Sequence, residues 1–258
     1  MANIISTVRR KGGSGKTTTA INLASGLAKQ GQKVLLVDLD SQANASEALR
    51  IADSGRNIAN VLGGRITIAD AILPAGDFYV LASASELADY EPRLTATFNL
   101  HAIKALLDQL RPSYDFIIID TPPSDGILTR NGLVASDLVI IPTQAHYLAV
   151  KGLDKALELI DDIKPMNPSI EIAGILPTML QQGTNVGDIF IEQLQTRHAD
   201  YLLPYAIPLT IKVTESQLLG QPLLDYAPDH KASEAYHELA KHIISKHSNK
   251  AERKEPIQ

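Results

Sequence analysis

Eight neighbouring residues carry chemistry that can be read from type and spacing: Lys11, Gly12, Gly13, Ser14, Gly15, Lys16, Thr17 and Thr18. Glycines let a backbone bend until successive N–H groups face one point. Such a nest, with a lysine and hydroxyls beside it, receives phosphate oxygens. Lys16 would neutralise the β- and γ-phosphates of a nucleotide, and the Thr17 hydroxyl would ligate Mg²⁺. Three carboxylates extend the pattern. Asp38 and Asp40 stand two apart in VDLD, which puts both on one side of a strand. Asp120 closes the apolar run FIIID and is followed by Thr121, Pro122 and Pro123. Acids at strand ends suit a hard cation shared with phosphate, because the cation offsets their repulsion. A proline loop just after such a strand is a candidate nucleotide-sensing switch.

These groups need a scaffold that delivers strand ends and one helix start to the same place. A strand-like run at 4–8 opens the chain, and short apolar runs at 33–38, 78–82, 116–120, 138–142 and 172–176 read as strands buried on both faces. Ala20, Leu23, Ala24, Leu27 and Ala28 recur at helical spacing directly after the glycine loop, and Gly31 stops that helix. Further helices are expected over 100–110, 151–163, 186–197 and 232–245. The alternation predicts an α/β fold, a mostly parallel twisted sheet flanked by helices on both faces, whose ligands sit at the carboxyl ends of the strands. Residues 1–247 are expected to form a single domain, with 248–258 a disordered polar tail. The first strand signal begins at Ile4, so no helix-turn-helix domain is expected ahead of it.

Composition narrows the classes. The chain has 258 residues and no cysteine, which excludes disulfides, Cys-ligated zinc and Cys-ligated iron–sulfur clusters. The formal net charge is −5, so any nucleic-acid binding must come from a local basic patch. The sequence shows neither a signal peptide nor a run of about 20 apolar residues, and a cytoplasmic protein is expected.

The run KGGSGKTT resembles the deviant Walker A motif of the ParA/MinD family, a P-loop NTPase group of SIMIBI type, and VDLDSQAN resembles that family's first switch. FIIID with Thr121-Pro122-Pro123 resembles Walker B and the second switch. The stretches 137–153 and 207–240 resemble the segments that follow, so the likeness covers nearly the whole chain. The resemblance implies that Lys11 crosses a dimer interface to the partner's nucleotide, that Asp40 organises the attacking water and that Asp38 lies near the metal. Asp120 would bind Mg²⁺ through water, and Pro208, with Thr178, would line an adenine pocket. The chain departs from the pattern at Arg9 and Arg10, where members often have Asn-Gln, and at Ser41 and Ala43, which replace Pro and Gly. It departs again at His146, where members often have Glu. Lys151 is an unexpected cation.

Members of the family bind either DNA or membrane in the ATP-bound dimer. The C-terminal residues SNKAERKEPIQ lack the apolar helical face of a membrane anchor. Lys212 matches an arginine that ParA-like members place on DNA, while Leu209 stands where a second arginine is common. Lys241 and Lys246, with Lys231 and Arg197, are candidates for a phosphate-contacting stripe. The implied activity is that of a small ParA/Soj-like partition ATPase using ATP and Mg²⁺. It would form an ATP-sandwich homodimer, bind nucleoid DNA nonspecifically, and position a plasmid, chromosome or protein organelle through a ParB-like or adaptor protein. The alternative is a metabolic P-loop synthetase that uses ATP to activate a small carboxylate substrate.

Overall fold

A computed structural model describes residues 1–52, 54–145, 149–181 and 183–252, with the side chains of 149–151 and 248–252 excepted. His146 and the Lys151 side chain therefore lie outside the described residues. Seven strands form one sheet: β1 (Asn3–Thr7), β2 (Val34–Asp38), β3 (Ile72–Ala75), β4 (Phe78–Leu81), β5 (Phe116–Asp120), β6 (Leu138–Gln144) and β7 (Glu171–Thr178). Their order is β3-β4-β2-β5-β1-β6-β7, and every neighbouring pair is parallel except β3 with β4. All six expected strands are present. The seventh, β3, is a short antiparallel edge containing Pro74, and an edge is where a sheet tolerates a residue without an N–H.

Strand alternation sorts the core into two layers. Ile4, Leu35, Val37, Ile117 and Ile119 point to one face. Ile5, Val34, Leu36, Phe116 and Ile118 point to the other. The first face is covered by Ile127–Ala135, Ala149–Ile163 and Asn185–His198, which contribute Leu128, Leu153 and Leu194 among others. The second is covered by α1 (Lys16–Lys29) and the helix Lys231–Glu252. These two helices meet closely at Gly26, where a Cβ would lie 3.2 Å from the Ala240 Cβ. The last helix extends beyond the expected 232–245 and into the segment read as a polar tail. No helix among the described residues is long and apolar enough to cross a membrane.

The register brings the chemistry together. Asp120 pairs with Thr7 on one side and Asp38 on the other, so three adjacent strands end side by side. Beyond β7 the chain returns alongside it: Leu203 N–H donates to Ile175 O at 3.0 Å and Ile207 N–H to Pro177 O at 2.8 Å. That return delivers Pro208 to the carboxyl end of the sheet.

Candidate nucleotide site

Residues 12–18 wrap a cavity of about 310 Å³ that is also lined by Asp40, Asn44, Pro123, Met179 and Gln217. Gly13 and Gly15 adopt φ of +72° and +87°, a left-handed backbone that glycine takes without steric penalty. Gly15 precedes α1, whose first turn has neither a side-chain cap nor an acidic residue. The orphan N–H groups of that turn and the positive end of the helix dipole therefore meet whatever enters. Thr178 fastens the loop from below, its hydroxyl donating to Ser14 O at 2.9 Å.

Lys16 is only 6% exposed. Burial lowers its pKa, and the carboxylates of Asp120 and Asp40 oppose that shift. Burial and then the charge of Asp38 push the Asp120 carboxyl up to about 7, with the Thr17 hydroxyl and Lys16 partly offsetting them. Thr7 Oγ1 donates to Asp120 Oδ1 at 3.3 Å, while Asp120 Oδ2 is buried with no hydrogen-bond partner. Asp40 accepts from Gln42 N–H at 3.0 Å and faces the cavity.

A buried carboxylate oxygen left open beside Thr17 and Asp40 is an all-oxygen donor set, and it fits Mg²⁺. Among the described residues no three His, Cys, Asp or Glu converge as a cage. Asp38, expected near the metal, uses its oxygens otherwise. Its Oδ2 accepts from Ser46 N–H at 2.9 Å and Ser46 Oγ at 2.8 Å, and its Oδ1 from Asp40 N–H at 3.2 Å. Burial raises it to about 6, with these donors opposing the shift. It anchors the turn that carries Asp40.

A second cavity of about 220 Å³ shares Gly15, Thr18 and Met179 with the first and is walled by Thr178, Ile207, Pro208, Val213 and Tyr236. Both residues expected at an adenine pocket are thus in its lining. Lys11 is exposed and outside the lining of either cavity. The candidate DNA lysines are dispersed. Lys212 pairs with Glu215 at 2.8 Å, Lys241 with Glu238 at 2.7 Å, and Lys246 donates to Ile172 O at 3.3 Å. Lys231 and Arg197 are exposed. At helical spacing Lys241 and Lys246 stand about 140° apart around their axis, so the last helix does not present its lysines as one row.

Four contributors escaped the sequence reading. Met179 and Gln217 line the first cavity, and Ser46 holds Asp38. Arg9 is 2% exposed and donates to Thr143 Oγ1 at 3.1 Å. Burial lowers its pKa to about 10, against the pull of Asp154, so it is a cation at neutral pH held behind the loop. Arg9 stood out only as a departure from a pattern, since arginines are mostly exposed and nothing local marks a buried one. Met179 follows Thr178 directly, and Gln217 lies in the stretch 207–240, so position alone was the available signal.

Comparison with known proteins agrees with this geometry. A family model described as an AAA domain matches residues 2–172. The sporulation initiation inhibitor protein Soj of Bacillus subtilis is 37% identical over 251 residues, covering 95% of this chain and 99% of Soj. The chromosome-partitioning ATPase Soj of Treponema pallidum is 34% identical, covering 93% of this chain and 96% of that protein. Among solved structures, cobyrinic acid a,c-diamide synthase of Mycobacterium smegmatis with bound ADP and magnesium superposes with a TM-score of 0.82 at 30% identity, covering 95% of this chain and 94% of that one.

Proposed function

The chain belongs to the ParA/MinD family of ATPases, and from that premise we propose that it is a partition ATPase working as an ATP-dependent homodimer on DNA. The observation that carries the reading is the cavity at residues 12–18, where an uncapped helix start, Lys16, Thr17 and Asp40 face one space, with the buried, unpartnered Asp120 Oδ2 outside its lining. ATP is the substrate. The loop N–H groups and Lys16 bind its phosphates, and the second cavity, with Thr178 and Pro208, takes the base. Thr17, Asp40 and Asp120 would hold Mg²⁺, with Asp38 one layer behind them. Bound there, the ion would neutralise charge that builds on the phosphates during transfer.

Asp40 orients the attacking water, and its loop is fixed for that task by the Ser46 donors on Asp38. Lys11 stands clear of its own cavity, which suits donation to the partner's nucleotide in the manner of an arginine finger. Hydrolysis is then slow in the single chain and coupled to dimerisation. The closed dimer carries Lys212, Lys231, Lys241, Lys246 and Arg197 to nucleoid DNA, with the exposed positions contacting phosphates. A ParB-like or adaptor protein stimulates turnover, and opening of the dimer releases the DNA. The likeness to the cobyrinic acid a,c-diamide synthase keeps one rival reading, ATP-driven activation of a small carboxylate.

Binding of the Asp40→Ala protein to random-sequence duplex DNA separates the two. The expected result is tight binding with ATP alone, not with ADP, weakening steeply as salt rises. An intact ATP dimer with no affinity for DNA under any nucleotide would overturn the partition reading in favour of the synthetase.

A further inference from the structure

We infer that Gln217 and Arg50 are positioning residues that tie the helix Lys212–Leu218 to two walls of the nucleotide cavity, so that nucleotide occupancy sets where Lys212 stands. The inference rests on the nucleotide reading above and deepens it. Gln217 lines the phosphate cavity, and its Nε2 donates to Thr18 Oγ1 at 3.4 Å. Arg50, just after the helix Asn44–Ala48 that follows the Asp40 turn, donates from Nη2 to Leu218 O. Its methylenes lie over Gly220, where an added Cβ would sit 2.8 Å from Arg50 Cγ and Cδ. A third stitch holds the chain beyond the helix: Leu223 N–H donates to Asn22 Oδ1 at 2.7 Å, and Asn22 Nδ2 donates to Thr18 O at 2.8 Å. The far end of this helix is therefore bound to α1 and to the segment after Asp40, the two parts of the chain that meet phosphate and metal.

The near end carries the candidate DNA contact. Lys212 is held by Glu215, which also accepts from Tyr226 Oη at 2.8 Å. A helix of seven residues is about 10 Å long and moves as one body, so a shift at Gln217 is felt at Lys212. The chemistry of the link is directional. Thr18 has one hydroxyl proton and two lone pairs. When that proton turns toward a phosphate oxygen, the lone pairs remain for Gln217, and the polarised hydroxyl becomes a better acceptor. Nucleotide thus tightens the stitch at the moment it fills the cavity.

Hydrogen exchange on the full chain, with and without Mg²⁺ and ATPγS, tests this alongside the Gln217→Met variant, which is neutral and of similar length but has no donor. In the wild type, nucleotide should slow exchange about fivefold or more over 212–222 as well as over 12–20. In Arg50→Ala, outside the cavity lining, protection over 12–20 should persist and protection over 212–222 should fall; in Gln217→Met, with nucleotide raised until 12–20 is protected as in the wild type, protection over 212–222 should still fall. With ATP, Gln217→Met should lose about tenfold in DNA affinity, and combining it with Lys212→Ala should add little further. A purely packing role leaves Gln217→Met like the wild type over 212–222, and that result overturns the inference. So does wild-type protection confined to 12–20, which leaves the nucleotide reading intact. No protection at 12–20 would overturn both. Normal protection of 212–222 without any DNA binding would sink the DNA reading alone and leave the coupling standing.

Discussion

At the scale of single residues the site is built from groups held under electrostatic stress. Asp120 is the clearest case. Its folded pKa lies above the ordinary carboxylate value, so the native state holds that proton more tightly than the unfolded chain does. Its contribution is therefore fully favourable below about pH 4 and is lost as pH rises through about 7. Asp120→Asn removes the burdened charge. It should raise nucleotide-free stability at pH 8 by on the order of 1–3 kcal/mol, with the gain fading toward pH 5. Calorimetric melting at both pH values checks this, and an unchanged or lower melting temperature at pH 8 would mean that another group already neutralises the site. The same variant should lose the stabilisation that Mg²⁺ and ATP confer. Lys16→Ala should show no nucleotide-induced rise in melting temperature at any pH, and a normal rise would remove Lys16 from the phosphate site. Residue types and spacing made this layer legible, because a phosphate nest has few sequence solutions. What they concealed was partnership: nothing in VDLD says that Asp38 accepts from Ser46, because that contact depends on how the turn at 40–43 folds back.

Elements deliver these residues, and their reliability follows from how strongly each is over-determined. Strands β2 and β5 lie centrally and are apolar on both faces up to their final aspartates, so continuous hydrophobic runs marked them, while β1 mixes Ile4 and Ile5 with the buried polar Asn3, Ser6 and Thr7. Strand β3 was invisible because an edge has only one hydrogen-bonded neighbour and Pro74 reads as a turn. The return of 202–208 alongside β7 was also hidden, since it makes only isolated bridges, yet it carries Pro208 to the second cavity. Thr178 at the end of β7 joins that pocket to the phosphate loop. Thr178→Val keeps shape and volume but leaves the buried Ser14 carbonyl without its donor. A loss of about 1–3 kcal/mol in unfolding free energy is expected, together with weaker ATP binding. Denaturant unfolding and a nucleotide titration read the two effects separately. Full retention of both would show that the loop is held by its glycine backbone alone.

For the whole molecule, the layout of charge and surface decides how copies meet. With a net charge of −5, two chains repel at long range, so the proposed dimer would have to be held by short-range contacts at its interface, such as Lys11 against the partner's nucleotide. Light scattering of Asp40→Ala should show a doubled mass with ATP and Mg²⁺ and a single chain without them. Lys11→Ala should stay single in both conditions, because it removes the exposed cation proposed to cross the interface. Doubling by that variant would assign Lys11 a role within its own chain. The helix Asn44–Ala48 is bracketed by Ala43 and Arg50, with φ of +52° and +51°, and neither is glycine. Each left-handed residue with a Cβ costs about 1–2 kcal/mol relative to a relaxed backbone. The short segment that follows the proposed water-positioning Asp40 thus stores backbone strain at both of its ends.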